Sequence, residues 1–310
     1  MAYCFKRKES VAKAVRRLGT ERMENALECL RDRDHAKAIH CARKDIKKVR
    51  AVLRLVRRKI GKGDHDRISD LLREAADHLA GPRDAYVKLN TLKKLKGHFK
   101  SQLAPGALRH VRSTLRNGCD AEMKSFTRKK TAKQAGRILR RAAKELDGLT
   151  VRGKGWDALR RGVKMAYAKG QRAYQIVLED DSSDHFHRWR KRAKDLWYQV
   201  TLLRPIWPGH MDAMAGELEA LTEQLGDEHD FAVLQKTLED EFAGNGRARE
   251  VEILKGLIDE RQRGLRASAR ALGARFYAEK PSAFCDRLAQ HWEIWRGEKK
   301  SIPQPDQIAA

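Results

Sequence analysis

The chain has little of what marks several functional classes. No apolar run among its 310 residues approaches the roughly 20 needed for a bilayer-spanning helix, so no membrane anchor is expected. The opening stretch is positively charged but has neither an apolar core of about 7–15 residues nor a cleavage site, so a secretory signal is not expected either. Cysteine is scarce: Cys4, Cys29, Cys41, Cys119 and Cys285 are scattered, odd in number and never spaced C-x-x-C. That pattern predicts reduced thiols in a cytosol, and it disfavours structural zinc, which takes ligands in close pairs. Aromatics make up 6% of the chain, and no strand-length alternation of Val, Ile or Tyr occurs between turn signals. The G-x-x-x-x-G-K-[ST], H-E-x-x-H, G-x-S-x-G and G-x-G-x-x-G motifs are all missing, so no enzyme, metal or cofactor is expected.

What remains is rich in Ala, Leu, Arg, Lys and Glu, the good helix formers. Breaks at 61–64, Gly81-Pro82, Pro105-Gly106, 148–155, 180–184, 205–209, 244–246 and Pro281 leave segments of about 17 to 30 residues, and an all-α fold is predicted. Gly81 is expected to stop one helix and Pro82 to open the next, while Asp184 is the expected N-cap of the helix holding His187. Asp227-Glu228-His229-Asp230 reads as the acid-rich start of a helix rather than a metal cluster.

Charge is abundant and uneven. The 67 Lys and Arg against 42 Asp and Glu give a formal +25, an excess that repels itself unless a polyanion or counterions neutralise it. Residues 86–172 hold 24 basic and five acidic residues, whereas 210–260 hold four basic and 14 acidic.

The chain also repeats itself. His40 to Lys47 and His187 to Lys194 both spell H-x-x-R-K-x-x-K, 147 residues apart, and Asp84 to Leu92 resembles Asp230 to Leu238 at an offset of 146. A duplication follows, with units at 1–150 and 151–300, each of about four helices, and a frayed tail at 301–310. On a helix predicted from about Asp34 to Ile60, Ile39, Ile46, Val49, Leu53, Val56 and Ile60 form a core face. His40, Arg43, Lys44, Lys47, Arg50, Arg54 and Arg57 form a second stripe, turned roughly 120° from the first. In the second copy Trp189, Ala193, Leu196, Val200 and Leu203 take the core face, and His187, Arg190, Lys191 and Lys194 the basic one. Seven like-signed residues at i,i+3 and i,i+4 spacing, without an interleaved acid, repel each other by a few tenths of a kcal/mol per pair. A bound anion removes that repulsion and gains bidentate contacts from Arg. Matched duplication favours anion binding over a merely solvated face. Cationic neighbours are expected to disfavour protonation of His40 and His187, which then serve as neutral donors to a phosphate oxygen or gain a proton when the anion binds. The second copy is weaker, since Trp197 and Thr201 stand where Arg50 and Arg54 stand in the first. Trp189 is expected in the core, with Trp197 and Tyr198 left open.

These two helices, the segment Leu225 to Asp230, and the later Leu-Gly-x-x-Phe-Tyr-Ala-Glu-Lys-Pro resemble the conserved-histidine α-helical domain, or CHAD domain. The stretch Gly162 to Ala173 resembles the family's basic Gly-x-Arg-Arg-x-Tyr-x-Arg-Gly-x-Arg-Ala segment, and adds Lys164, Lys169 and Arg172 as candidate ligand residues beside Tyr167 and Gly170. The resemblance implies two four-helix bundles about a pseudo-twofold axis, enclosing a basic channel or groove that binds inorganic polyphosphate. It also implies a cytoplasmic place on polyphosphate granules, where granule-associated proteins would be partners. The triphosphate-hydrolysing CYTH domain found fused to many members is not expected here, because its signature and its β-sequence are absent. A general nucleic-acid-binding protein is the main rival, and a scaffold recruiting enzymes to granules is the third reading. Single-strand sites usually add aromatic platforms, and no stripe here interleaves them with Arg.

Overall fold

The computed structural model describes residues 3–104, 106–242 and 248–298. Pro105, the 244–246 break and the 301–310 tail lie outside them. The described residues form eleven α-helices and no strand: α1 (Val11–Cys29), α2 (His35–Leu55), α3 (Lys62–His78), α4 (Ala80–His98), α5 (Arg109–Arg128), α6 (Thr131–Asp147), α7 (Asp157–Glu179), α8 (Ser183–Leu202), α9 (Pro208–Phe242), α10 (Ala248–Phe276) and α11 (Pro281–Gly297). A 3₁₀ turn at Arg204–Ile206 links α8 to α9. Six helices precede Gly148 and five follow it, where four per half were expected. The extra elements arise at tight corners: α3 and α4 meet at the single residue Leu79, and α5 and α6 at Lys129 and Lys130.

Helix starts follow local chemistry. Asp34 caps α2 by accepting the Lys37 N–H at 3.1 Å, and Ser10 caps α1 through the Lys13 N–H. Two boundaries differ from expectation. The Asp180 carboxylate accepts the Ser182 N–H at 2.9 Å, closing a turn that starts α8 two residues early, so Ser182 is the N-cap and Asp184 lies in the first turn. Gly81 and Pro82 both fall in the first turn of α4, where an amide without an N–H loses no helical bond. α2 stops at Leu55 rather than Ile60, because the following turn tightens to i,i+3 bonds and the Lys59 carbonyl accepts the Arg152 N–H at 2.7 Å from the 148–155 join.

The predicted core faces are buried: Ile39, Ile46, Val49 and Leu53 on α2, and Trp189, Ala193, Leu196 and Val200 on α8, are at most 2% exposed. The cores do not follow the halves. One cluster gathers side chains from α1–α3 and α5–α11, and a second is built between the α4–α5 and α9–α10 hairpins. α7 crosses α2 backbone to backbone, since a Cβ on Gly162 would stand 1.9 Å from the Leu55 carbonyl oxygen. The acidic motif is not a helix start. α9 runs unbroken for 35 residues, with Gly226 inside it, and Asp227 to Asp230 lie in its middle.

The expectation of five reduced thiols is also corrected. Cys29 and Cys41 form a disulfide, brought together because the five residues between α1 and α2 fold the two helices side by side. Cys4, Cys119 and Cys285 remain free thiols. Cys29, Cys41 and Asp45 are the one group among the described residues with donors close enough for a metal. They do not fit one: the sulfurs bond each other, and the Asp45 carboxylate is held by Arg22, Lys48 and Asn25. No described helix is long and apolar enough to cross a membrane.

Candidate functional site

α2 and α8, which carry the two H-x-x-R-K-x-x-K segments, touch one another, and α3, α4, α7 and α9 pack around them. The two basic stripes therefore meet across one boundary. Where they meet, Lys47 lies close enough to Arg190, Arg83, Arg43 and Lys194 to feel the charge of each. Desolvation first, then these four cations, pushes the Lys47 ammonium down to about 7. Lys194 is lowered to about 8, chiefly by burial and then by Arg190, with Glu219 and Glu223 opposing. Its Nζ donates to Thr222 Oγ1 at 3.3 Å and stands 3.7 Å from the Trp197 ring centroid, which places Trp197 as a cation–π platform. Tyr198 is buried.

The histidines differ from each other. His40 is exposed and held below its usual range by partial desolvation, then by Lys44, Lys47 and Arg83. His187 is half-buried, stacks on His229 with centroids 3.9 Å apart, and titrates at about 4 through desolvation, then Lys191 and Arg190. His229 falls to about 3 for the same first reason, with His187 the next cause. Lys44 and Lys191 are exposed at the rim. Arg43 donates to the Ala76 carbonyl at 2.5 Å, so α3 orients its guanidinium. Arg43 Nε, Arg190 Nε and His187 Nδ1 are buried without a hydrogen-bond partner among the described residues. Buried polar atoms of this kind are costly to leave unpaired.

The other end of the α2 stripe opens into a cleft of about 980 Å³ between α2, α3, α7 and α8. Arg50, Arg54, Arg57 and Lys169 line it, joined by Arg58, Lys62, Arg73, Arg161 and Arg192. Lys164 and Arg172 are exposed on α7 outside this cleft, and five residues of helix turn Lys164 about 140° from Lys169. A carboxylate absent from the stripe as read arrives from α8: Asp195 pairs with Arg54, and burial raises its carboxyl against the pull of Arg54, Arg192, Arg50 and Lys169. Burial also lowers Arg50 and Arg190.

The midpoint of α9 closes the site. Asp227 accepts from Lys94 at 2.6 Å. Glu228, fully buried, accepts from Arg266 at 2.8 Å and Ser183 at 3.0 Å. Asp230 faces Arg83 and Arg190. The acidic motif thus fastens α9 to α4, α8 and α10. Arg83 and Asp195 were missed in the sequence, and His229 was read only as part of an acid-rich helix start. Arg83 had one signal, since it directly precedes the second repeated segment.

A profile of the CHAD domain family matches residues 14–239, well over half of the chain. The chain belongs to the CHAD domain family. Among solved structures, this CHAD chain is similar to the CHAD domain from the plant Ricinus communis, at 15% identity and a TM-score of 0.63, covering 88% of this chain and 94% of that one. It is similar also to PptA from Streptomyces chartreusis, at 14% identity and a TM-score of 0.65, covering 87% and 100%. At those identities the likeness speaks for the shared helical fold. No curated protein matches by sequence.

Proposed function

We propose that this CHAD protein binds inorganic polyphosphate along the boundary of α2 and α8, without chemical turnover. One observation carries the reading: Lys194, Arg190 and Arg43 gather, half-buried, around Lys47, and desolvation first, then neighbouring cations, lower the pKa values of all four. A cation kept there with only partial compensation from Asp230, Glu219 and Glu223 favours an anion more strongly than a solvated surface cation does, because water and salt screen it less. An extended phosphate chain would run from His40, Lys44 and Lys191 at the rim, past Lys47 and Arg190, to the cleft of Arg50, Arg54, Arg57 and Lys169. In this reading the duplicated helices form the two walls of a channel about a pseudo-twofold axis, and granule association follows from the ligand.

The preference over nucleic acid rests on what lines the cleft. No Phe, Tyr or Trp does, and Trp197 already carries Lys194 on its face. A phosphate chain has no bases to stack. The test is competition: long-chain polyphosphate against single- and double-stranded DNA, at equal phosphate concentration and about 150 mM salt. Polyphosphate should win by at least tenfold, and the Lys47→Gln, Arg190→Gln double variant should bind it at least tenfold more weakly. Equal or tighter DNA binding, or an unweakened folded variant, would refute the assignment.

A further inference from the structure

The proposed α2–α8 site leaves much of the basic middle of the chain unused. A separate cleft of about 1110 Å³ opens between α4, α5 and the start of α2. Arg33, Lys93, Lys96, Arg109, Arg112 and Arg116 line it, and none of their side chains forms an ion pair or hydrogen bond with a described residue. Of the two acids lining it, Asp34 is already engaged as the α2 cap, which leaves Asp120. Six cations kept unpaired on one concave surface repel one another and favour an anionic occupant.

The cleft is also graded along its length. Tyr86, Leu89, Lys93 and Lys96 recur at spacings of 3, 4 and 3 on α4, and Arg109, Arg112 and Arg116 at 3 and 4 on α5, so each set forms one stripe. α4 and α5 form a hairpin. Near the connection the facing residues are Lys93, Lys96, Arg109 and Arg112. Farther from it Tyr86 and Leu89 stand opposite Cys119 and Met123, with Asp120 and the α2 start at Arg33, Asp34 and His35 on the same side. Tyr86 is 46% exposed, a large ring left uncovered at the apolar end. A bare phosphate chain has no use for that end. An anion with a flat apolar body fits both ends, and the volume suits a ligand of that size. Nor is the cleft a by-product of the duplication. At the 146-residue offset Tyr86, Leu89, Lys93 and Lys96 fall on Ala232, Gln235, Glu239 and Phe242, which could not build it again.

We propose that the α4–α5 cleft is a second site, taking a nucleoside polyphosphate with its phosphates on Lys93, Lys96, Arg109 and Arg112 and its base over Tyr86. Photolabelling the full chain with 8-azido-ATP, followed by mapping of the modified peptides, tests it. Label should fall on α4 or α5 near Tyr86 or Met123, and ATP should displace it at least tenfold better than tripolyphosphate does. Labelling should drop at least tenfold in Arg112→Gln, Arg116→Gln and about fivefold in Tyr86→Ala. All three residues are exposed, so these variants should keep the native helical signal. The Arg50→Gln, Arg54→Gln variant should label like the wild type, which separates this site from the α2–α8 groove. Absent label, label confined to α2 and α8, equal displacement by tripolyphosphate, or labelling indifferent to the cleft variants would each overturn the proposal.

Discussion

Anion binding at the α2–α8 groove should take up protons, by an amount that follows from two lysines. In the free protein Lys47 titrates at about 7 and Lys194 at about 8, both lowered first by desolvation and then by neighbouring cations. A polyanion beside them reverses the repulsion and restores both ammonium ions. At pH 8 the empty groove then lacks about 1.4 protons that the filled groove holds, and at pH 6 about 0.1. Linkage fixes the sign: affinity falls as pH rises wherever the complex holds more protons than the free protein. Between pH 6 and pH 8 the loss is about tenfold from Lys47 and about twofold from Lys194, together about 20-fold or ~1.8 kcal/mol. Long chains are the right ligand, because their few terminal phosphates add little titration of their own. Calorimetric titration at pH 8 in buffers of different ionisation enthalpy should give a slope near 1.4 protons per groove. Lys47→Arg should flatten the pH dependence to about twofold, since guanidinium stays charged throughout. Affinity constant from pH 6 to 8, a slope near zero, or a Lys47→Arg variant with the wild-type pH dependence would refute the reasoning.

Other expectations concern the scaffold. His187 and His229 are held neutral, at about 4 and about 3, so the unfolded chain binds protons more readily than the folded one below the ordinary histidine range. Stability should therefore be full above about pH 6.5 and fall progressively toward pH 4, seen as a lower thermal midpoint that polyphosphate partly restores; a midpoint flat from pH 7 to 4.5 counts against the buried pair. Gly162→Ala should lose about 1–3 kcal/mol in urea unfolding, because the added methyl meets the Leu55 carbonyl rather than a yielding side chain, and a neutral result would mean α7 can lift from α2. Reduction, or Cys29→Ser with Cys41→Ser, should cost roughly 3 kcal/mol by the loop-closure argument, and an unfolding midpoint insensitive to reductant would deny the bond.

The features legible in the sequence were those that repeat within one helix. The α2 core face emerged from spacings of 3, 4 and 7, and its basic stripe from the same winding. The Asp34 start was legible because a cap acts three residues away. What stayed hidden depends on how helices meet. Asp195 reads as an unremarkable acid on α8 until α8 lies against α2 and sets it beside Arg54. The Cys29–Cys41 bond needs the α1–α2 hairpin, which thiol spacing alone does not announce. Gly226 and a dense acid cluster imitate a helix start. Only the demands of Lys94, Arg266 and Arg190 on Asp227, Glu228 and Asp230 show why α9 carries them at its centre.

The half-burial of the groove has a consequence for the net charge itself. A solvated stripe of arginine and lysine would be screened beyond about 8 Å at physiological salt, and each of its contacts would be worth little. Moving the same cations into a helix boundary removes that screening but charges the fold for their desolvation. Lysine offers a way out that arginine lacks, because it can release its proton. At neutral pH Lys47 stands near its own midpoint, so the free groove relieves repulsion by shedding charge rather than by opening. The formal +25 therefore overstates the charge of the empty protein and, on the proposed reading, understates its response to an anion, whose entry would return the lost protons to the lysines. On that reading the mixture of Arg and Lys has a use: the arginines keep a fixed attraction, and the two half-buried lysines let the site exist without its ligand.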